Sequence, residues 1–262
     1  MAVPKISASI VLYGELEKAR QCIGSLLNET KGAELSLFVI DNASPDHAGE
    51  ILQKEFGDRA HFLLLQENLG FGRAHNLVLP YLESDYHAVV NPDILLKEDA
   101  LSALGGYLQQ NPEVVMATPR LYFPDGREQL VAKRRPTLMA LLGRQLPFHF
   151  LKKYEDYYLM KDRDLSQQQE IEFCTGCFFV ARTAVLKEIG GFDERYFLYV
   201  EDADITQKAL RKGRVVYWPG TRVYHAWNRQ PSRSGSHFTR QLRSMLRYFQ
   251  NWGFRFGFGD HA

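Results

Sequence analysis

The sequence predicts an α/β fold, a mostly parallel sheet flanked by helices, and two observations carry that reading. Short apolar runs alternate with stretches of helical spacing, and turn-forming polar residues follow the runs. Ile6 to Tyr13, Leu35 to Ile40, His61 to Leu65 and Tyr86 to Val90 are apolar or β-branched and bounded by polar residues, as buried strands are. In Glu15 to Leu27, Leu16, Ala19, Ile23, Leu26 and Leu27 recur at helical spacing, and Ala48 to Phe56 and Gly72 to Leu82 follow suit. Further on, Ile171 to Arg182 reads as a strand, Glu201 to Arg211 as a helix and Val215 to Trp218 as a strand. Parallel sheets bind ligands beyond the carboxyl ends of their strands, so the chemistry is to be sought in the loops that follow them.

With 262 residues the chain can bury a substantial core in one domain with a C-terminal extension. A formal net charge of +1 points to neither nucleic acid nor an acidic partner. The opening residues run straight into a strand-like segment, no apolar stretch reaches the ~20 residues needed to span a bilayer, and the chain is expected in the cytoplasm. The three cysteines, Cys22, Cys174 and Cys177, make a disulfide framework improbable. The Cys174-Thr175-Gly176-Cys177 spacing lacks the further ligands of a structural zinc and the helix start of a redox pair, so two buried strand thiols are expected.

Four loops hold candidate chemistry. Asp41-Asn42-Ala43-Ser44 follows the second strand: a carboxylate there can accept the imide N–H of a pyrimidine, with Asn and Ser as further partners, although Ser44 or Asp46 would equally cap a helix. Asn68-Leu69-Gly70-Phe71-Gly72 follows the third strand, where glycines at a helix start let backbone approach a phosphate. A dinucleotide fingerprint would need a third glycine where His75 stands, and it would follow the first strand. Asn91-Pro92-Asp93 ends the fourth strand, a tight turn whose Asp93 can offer oxygen to a hard divalent ion. Glu201-Asp202-Ala203-Asp204 opens a helix, whose positive dipole end favours anions. Crowding three carboxylates raises the proton affinity of at least one, as a general base requires. His225 after a later strand is either a satisfied core imidazole or a ligand.

Taken in order, these motifs resemble glycosyltransferase family 2, of the GT-A fold, with its Rossmann-like sheet. The likeness covers Ile6 to about Trp227 and adds Asn76, Thr175-Gly176, Gly190-Gly191-Phe192-Asp193-Glu194 and Phe197. It is strongest to bacterial rhamnosyltransferases of O-antigen and related surface polysaccharides. The resemblance implies a nucleotide-binding part over 1–120, containing Tyr13, Asp41, Asn42, Ser44, Asn68, Gly70, Phe71, Gly72 and Asn91, and an acceptor-binding part over 121–228. It implies Mg²⁺ or Mn²⁺ on Asp93 and His225, Asp202 as catalytic base with Glu201 beside it, and acceptor contacts from Thr175, Gly176 and Asp204. Asn91 replaces the first acidic residue of the family's D-x-D element, which weakens the expected metal affinity. The implied reaction is inverting transfer, of L-rhamnose from dTDP-β-L-rhamnose, to a polyprenyl-diphosphate-linked saccharide.

Residues 229–262 form the extension. Within it Phe238, Leu242, Met245, Leu246 and Phe249 share one helical face, and Arg240, Arg243 and Arg247 lie largely on the other, with Trp252 and Phe254 beyond. Such a helix either packs on the domain or lies on an anionic membrane, and with lipid-linked acceptors the expected localisation is peripheral, on the inner face of the cytoplasmic membrane. The competing readings are transfer of another UDP- or GDP-sugar, a non-catalytic binding module of the same fold, and a nucleotidyltransferase. The last would need a Gly-rich, Arg-containing loop after the first strand, where Tyr13-Gly14-Glu15-Leu16 stands.

Overall fold

A computed structural model describes residues 3–143, 148–226 and 235–258, with side chains of the last stretch described from 242 onward. Among these residues the chain runs β1 (Lys5–Leu12), α1 (Leu16–Glu29), β2 (Glu34–Asp41), α2 (Ala48–Phe56), β3 (His61–Leu64), α3 (Phe71–Asn76), β4 (Tyr86–Val90) and β5 (Ile94–Leu95). It continues through α4 (Ala100–Gln110), β6 (Val114–Tyr122), β7 (Glu128–Gln129), α5 (Leu138–Gly143), α6 (Lys152–Tyr158), β8 (Gln169–Glu170) and β9 (Phe178–Arg182). Then follow α7 (Thr183–Glu188), α8 (Glu201–Leu210), β10 (Arg214–His225) and α9 (Gly235–Trp252). The strands form one sheet in the order β3-β2-β1-β4-β9-β6-β10-β5, with β7 on β6 and β8 on β10.

β1 shows why this sequence makes a two-sided sheet. Successive side chains of a strand point to opposite faces. Ile6, Ala8, Ile10 and Leu12 enter the main core with Ile23 and Leu26 of α1 and Leu101 and Leu104 of α4. Val11 faces the other way, into a smaller cluster with Phe38, Ile40, Ala74 and Val78. Fully burying each large aliphatic side chain contributes about 1.5–3 kcal/mol, so such a strand is held from both sides. On that second face Ser7 and Ser9 also point inward, and they are not left unsatisfied. Ser84 meets Ser7 at 2.6 Å, Ser7 meets Nδ1 of His87 at 2.7 Å, Nε2 of His87 meets Ser9 at 2.8 Å, and Ser9 meets Nδ1 of His75 at 2.7 Å.

β1 pairs in parallel with β2 and β4, and β2 with β3, as the alternation predicts; β6, which the sequence reading did not mark, pairs in parallel with β10. Three expectations change. The helix expected over Gly72 to Leu82 ends at Asn76 and gives way to a 3₁₀ turn over Leu79–Tyr81, because Pro80 lacks the N–H that a continuing helix needs. The run Ile171 to Arg182 is not one strand: 171–177 is loop, tied back to Lys133 through Glu172 N and Phe173 N, and only Phe178–Arg182 is strand. Both Cys174 and Cys177 are therefore buried free thiols of this loop and not of a strand. Strand β9 also lies antiparallel between β4 and β6, so the sheet is mixed at its centre.

The C-terminal segment is packed against the domain. Tyr248 is buried with Ala140, Tyr158, Phe173 and Ala203, and Ser244 donates to Leu198 O at 3.2 Å. The tail adds backbone bonds from Leu138 N to Arg255 O at 3.0 Å and Met139 N to Phe256 O at 3.1 Å. The predicted apolar stripe is thereby split: Tyr248 and Ser244 lead the inward face, Met245 and Phe249 are half-buried, and Leu242 and Leu246 face solvent. Trp227, Arg144, Pro147 and the side chains of Phe238 and Arg240 lie outside the described residues.

Candidate active site

The loops after β2 and β3 are clasped together. Asn42 donates Nδ2–H to Asn68 Oδ1 at 3.0 Å and accepts Leu69 N–H at 2.8 Å, while Asn68 Oδ1 also accepts Gly70 N–H at 2.9 Å. Ser44 accepts Gly14 N–H at 2.8 Å, which ties in the loop after β1, where Tyr13 stands exposed. Asp41, 6 % exposed, uses one oxygen for Ser44 N at 2.9 Å and the other for Gly49 N at 3.1 Å. The carboxylate thus organises its own loop, and only its remaining lone pairs are left for a base. Gly70 has φ +83 and sits where a Cβ would be 2.4 Å from Phe197 O, which in turn accepts Phe71 N–H at 3.1 Å. Asn76 makes a second clasp, accepting Phe192 N–H and donating to Phe192 O, both at 2.8 Å. The glycine loop is therefore bolted to the 191–197 turn that leads into α8.

Asn91 closes β4 by donating its backbone N–H to Cys177 O at 2.8 Å. Two residues on, Asp93 Oδ1 lies 3.3 Å from His225 Nε2 at the end of β10, and Ala226 N donates to Asp93 O at 3.0 Å. The other ring nitrogen of His225 is 3.0 Å from Gln129 Oε1, and Gln129 Nε2 donates to His225 O at 2.8 Å. Burial lowers the proton affinity of His225, but Cys177 and Asp93 together carry it up to about 10. Asp93 Oδ1 is buried, and among the described residues its one polar contact is this pairing with His225. A carboxylate oxygen and an imidazole nitrogen that converge, with the ring oriented from behind by Gln129, are a donor set that fits a divalent ion. Among the described residues no cluster of three or more His, Cys, Asp or Glu is gathered for a metal, so Asp93 and His225 are the two such ligands brought together there. Gln129 was not singled out by its sequence; it lies on β7, whose pairing with β6 nothing local announces.

The carboxylates of α8 diverge in role. Tyr199 and Val200 enter the helix with left-handed φ of 70 and 72, strained for a β-branched valine and of the kind that clusters at functional sites. Glu201 is buried with Oε2 unpartnered among the described residues, and burial, then the Asp202 charge, push its carboxyl up to about 8. Burial also raises Asp202, but Lys133 and the N–H groups of Gly176 and Ala203 oppose it. Asp202 Oδ2 accepts Gly176 N–H at 3.2 Å, and a Cβ on Gly176 would lie 3.1 Å from that of Asp202 and 3.6 Å from the Phe71 ring. Thr175 accepts the Lys133 ammonium at 2.9 Å. Thr175 and Gly176 thus frame Asp202, and the Phe71 ring brings the glycine loop against them.

Asp204 departs from the expected acceptor contact. It is 2 % exposed and accepts Trp252 Nε1–H at 2.7 Å, so it anchors α9. Residues two apart on a helix point about 200° from each other, which sends Asp204 away from Asp202.

A mixed α/β sheet with a clasped glycine loop, a carboxylate–imidazole pair beyond β4 and adjacent carboxylates at a helix start define a GT-A type of protein. The family model for glycosyl transferase family 2 matches residues 7–190, and the chain belongs to that family. It is 26% identical over 208 residues to the N-acetylglucosaminyl-diphospho-decaprenol L-rhamnosyltransferase of Mycobacterium tuberculosis strain H37Rv, over 73% of this chain and 66% of that protein. It is 24% identical over 190 residues to the rhamnosyltransferase WbbL of Escherichia coli strain K12, over 68% of this chain and 69% of WbbL. The chain thus spans about two thirds of the length of each. Among solved structures, GalNAc-T7 with UDP, GalNAc and Mn²⁺ superposes with a TM-score of 0.70 at 13% identity, over 95% of this chain and 48% of that one. The mannosyltransferase PcManGT of Pyrobaculum calidifontis, with GDP-Man and Mn²⁺, gives 0.64 at 15% identity, over 96% of this chain and 64% of that one. At these identities the structural likeness is one of fold.

Proposed function

We propose that this chain is an inverting glycosyltransferase that moves L-rhamnose from dTDP-β-L-rhamnose to a hydroxyl of a lipid-diphosphate-linked saccharide, in surface polysaccharide synthesis. The observation that carries the reading is the Glu201–Asp202 pair at the start of α8: Glu201 is buried and pushed up to about 8, whereas half-buried Asp202 accepts the N–H of Gly176 and Ala203, which oppose the rise that burial imposes on it. An anion held by backbone N–H groups at a helix start can receive a proton from an acceptor alcohol. The sugar and acceptor follow the names of the two relatives, both rhamnosyltransferases, the mycobacterial one acting on a diphospho-decaprenol-linked N-acetylglucosamine.

Asp202 takes the hydroxyl proton as the acceptor oxygen attacks the anomeric carbon from the face opposite the diphosphate. The new C–O bond forms as the bond to the diphosphate breaks, which inverts the anomeric centre and turns a β-linked donor into an α-L-rhamnoside. Mg²⁺ or Mn²⁺ held by Asp93 and His225 would offset the charge gathering on the departing diphosphate. Asp41, Asn42, Ser44, Asn68 and the Gly70–Gly72 turn, with Tyr13 and Asn91 beside them, form the nucleotide side. Exposed Leu242, Leu246, Phe254 and Phe256 on the C-terminal segment support a peripheral contact with an anionic membrane, since lipid-linked acceptors reside there; among the described residues no helix is long and apolar enough to cross one.

The test is a panel of nucleotide sugars with and without Mn²⁺, read by thermal shift and by product formation. Asp202→Asn should bind the donor nucleotide like wild type and lose transfer at least a hundredfold, in the usual range for a general base. Wild-type turnover in that variant would remove the base assignment.

A further inference from the structure

Lys133 is a cation that the reaction as outlined leaves unused. It follows β7 in the chain and is only 8 % exposed, a burial that lysine rarely tolerates without compensation. Both ends of the residue are tied to the loop 172–177. Its carbonyl accepts Glu172 N–H at 2.9 Å and Phe173 N–H at 3.2 Å. Its ammonium donates to Thr175 Oγ1 at 2.9 Å and lies 4.6 Å from the centre of the Phe173 ring. The next residue of that loop, Gly176, donates to Asp202 Oδ2 at 3.2 Å.

The groups that act on Asp202 come from two elements. Glu201 stands beside it on α8, and the 172–177 loop brings the buried Cys174 thiol, which burial holds far above the thiolate range. Lys133 reaches Thr175, the neighbour of the Gly176 that donates to Asp202, and its charge opposes the rise that burial imposes on the Asp202 carboxyl. Two adjacent carboxylates, one buried and one half-buried, share a proton, and an asymmetric positive charge decides where it rests. Burying an ammonium near a carboxylate also lowers the cost of burying each.

We propose that Lys133 is a positioning residue that decides which of the two adjacent carboxylates serves as base: its ammonium, seated on Thr175, holds Asp202 as the anion and leaves the shared proton to Glu201. The inference rests on the reading of Asp202 as base. Lys133 touches no reacting atom in this role, and its effect passes through Asp202.

The experiment is a pH titration of side-chain carboxyl ¹³C resonances in the full chain, with Asp202→Asn used to assign the Asp202 signal. Lys133→Gln removes the charge and keeps an N–H donor on a side chain one bond shorter. In that variant the Asp202 midpoint should rise by about one pH unit or more, roughly a tenfold loss of anion at a pH below it, and the Glu201 midpoint should fall. Lys133→Arg should retain the wild-type order. An Asp202 midpoint that stays put in folded Lys133→Gln overturns the inference. If the Gln variant does not fold, Thr175→Val, which unseats the ammonium, must raise the Asp202 midpoint, and no movement there overturns it equally. The transfer assay separates the two claims: an unmoved midpoint beside an inactive Asp202→Asn removes only the role of Lys133, whereas an active Asp202→Asn removes the base itself.

Discussion

Replacing Glu201 by glutamine keeps the shape of the side chain and deletes its titration, which makes the buried pair accessible to a stability measurement. The ordinary value for this carboxyl is 4.5, and burial followed by the Asp202 charge raises it to about 8 in the folded protein. Across that window the unfolded chain releases a proton that the folded protein keeps. For an acid whose folded value is raised, the unfolded state binds fewer protons, so stability falls as pH climbs from 4.5 and levels off above about 8. At about 1.4 kcal/mol per pH unit the full window amounts to at most roughly 5 kcal/mol, an upper bound because the site can relax or admit water. Glu201→Gln has no such slope of its own. Urea denaturation of both proteins at pH 5, 6, 7 and 8 should show the advantage of the Gln variant growing by roughly 2–4 kcal/mol across the series. Parallel stability curves would mean that Glu201 ionises at its ordinary value, and the division of labour between Glu201 and Asp202 would fail with it.

Two further outcomes follow from the geometry. A Cβ on Gly49 would lie 2.2 Å from Asp41 Oδ2 and 2.4 Å from Asp41 Cβ, so Gly49→Ala should lose about 1–3 kcal/mol in thermal or urea denaturation and weaken nucleotide binding. Gly24→Ala in α1, with nothing within 4 Å of the added carbon, is the control and should gain about 0.5–1 kcal/mol; equal effects at the two sites would discredit the packing argument. Wild-type protein should sediment with phosphatidylglycerol vesicles more than with phosphatidylcholine ones, and Phe254→Ser combined with Phe256→Ser should weaken that binding severalfold. Vesicle binding unaltered by the pair of substitutions would rule out the tail as the lipid contact.

The parts of the fold that were legible in the sequence are those with local causes. β1, β2 and β4 declare themselves because each is apolar over its length and bounded by turn residues, and α1 and α2 because their apolar positions recur at helical spacing. The interruption at Pro80 also had a local signal, the missing N–H, which the apolar spacing of 72–82 obscured. The insertion of β9 between β4 and β6 had none, because strand partners are chosen by contacts distant in sequence. The site divides in the same way. Asp41 ends a strand, Asn68 and Asp93 stand in loops after strands, and all three could be picked out by position, whereas Lys133 opens the run Lys133-Arg134-Arg135 and looks like part of a solvated basic stretch. Its one clue is the apolar Val131-Ala132 just before it, both buried. Asp204 was misread for a reason of geometry: four residues adjacent in sequence wrap around a helix, so the third carboxylate serves the opposite side.

The file of hydroxyls and imidazoles beneath the glycine loop has a consequence of its own. Burial lowers His87 to about 3 and lowers His75 too, with His87 adding to the latter, so each ring carries one hydrogen at neutral pH. If His87 bears it on Nδ1, then Ser9 must donate to Nε2 of His87 and receive from Nδ1 of His75, leaving Nε2 of His75 bare. If His87 bears it on Nε2, every link reverses, Ser7 receives from Ser84, and His75 holds its hydrogen on Nε2. With every hydroxyl hydrogen kept in the file the two polarities exclude each other, so His75, packed against Phe71, presents either a donor or an acceptor according to a choice made at Ser84, just before β4, which also bonds Thr183 at 3.2 Å.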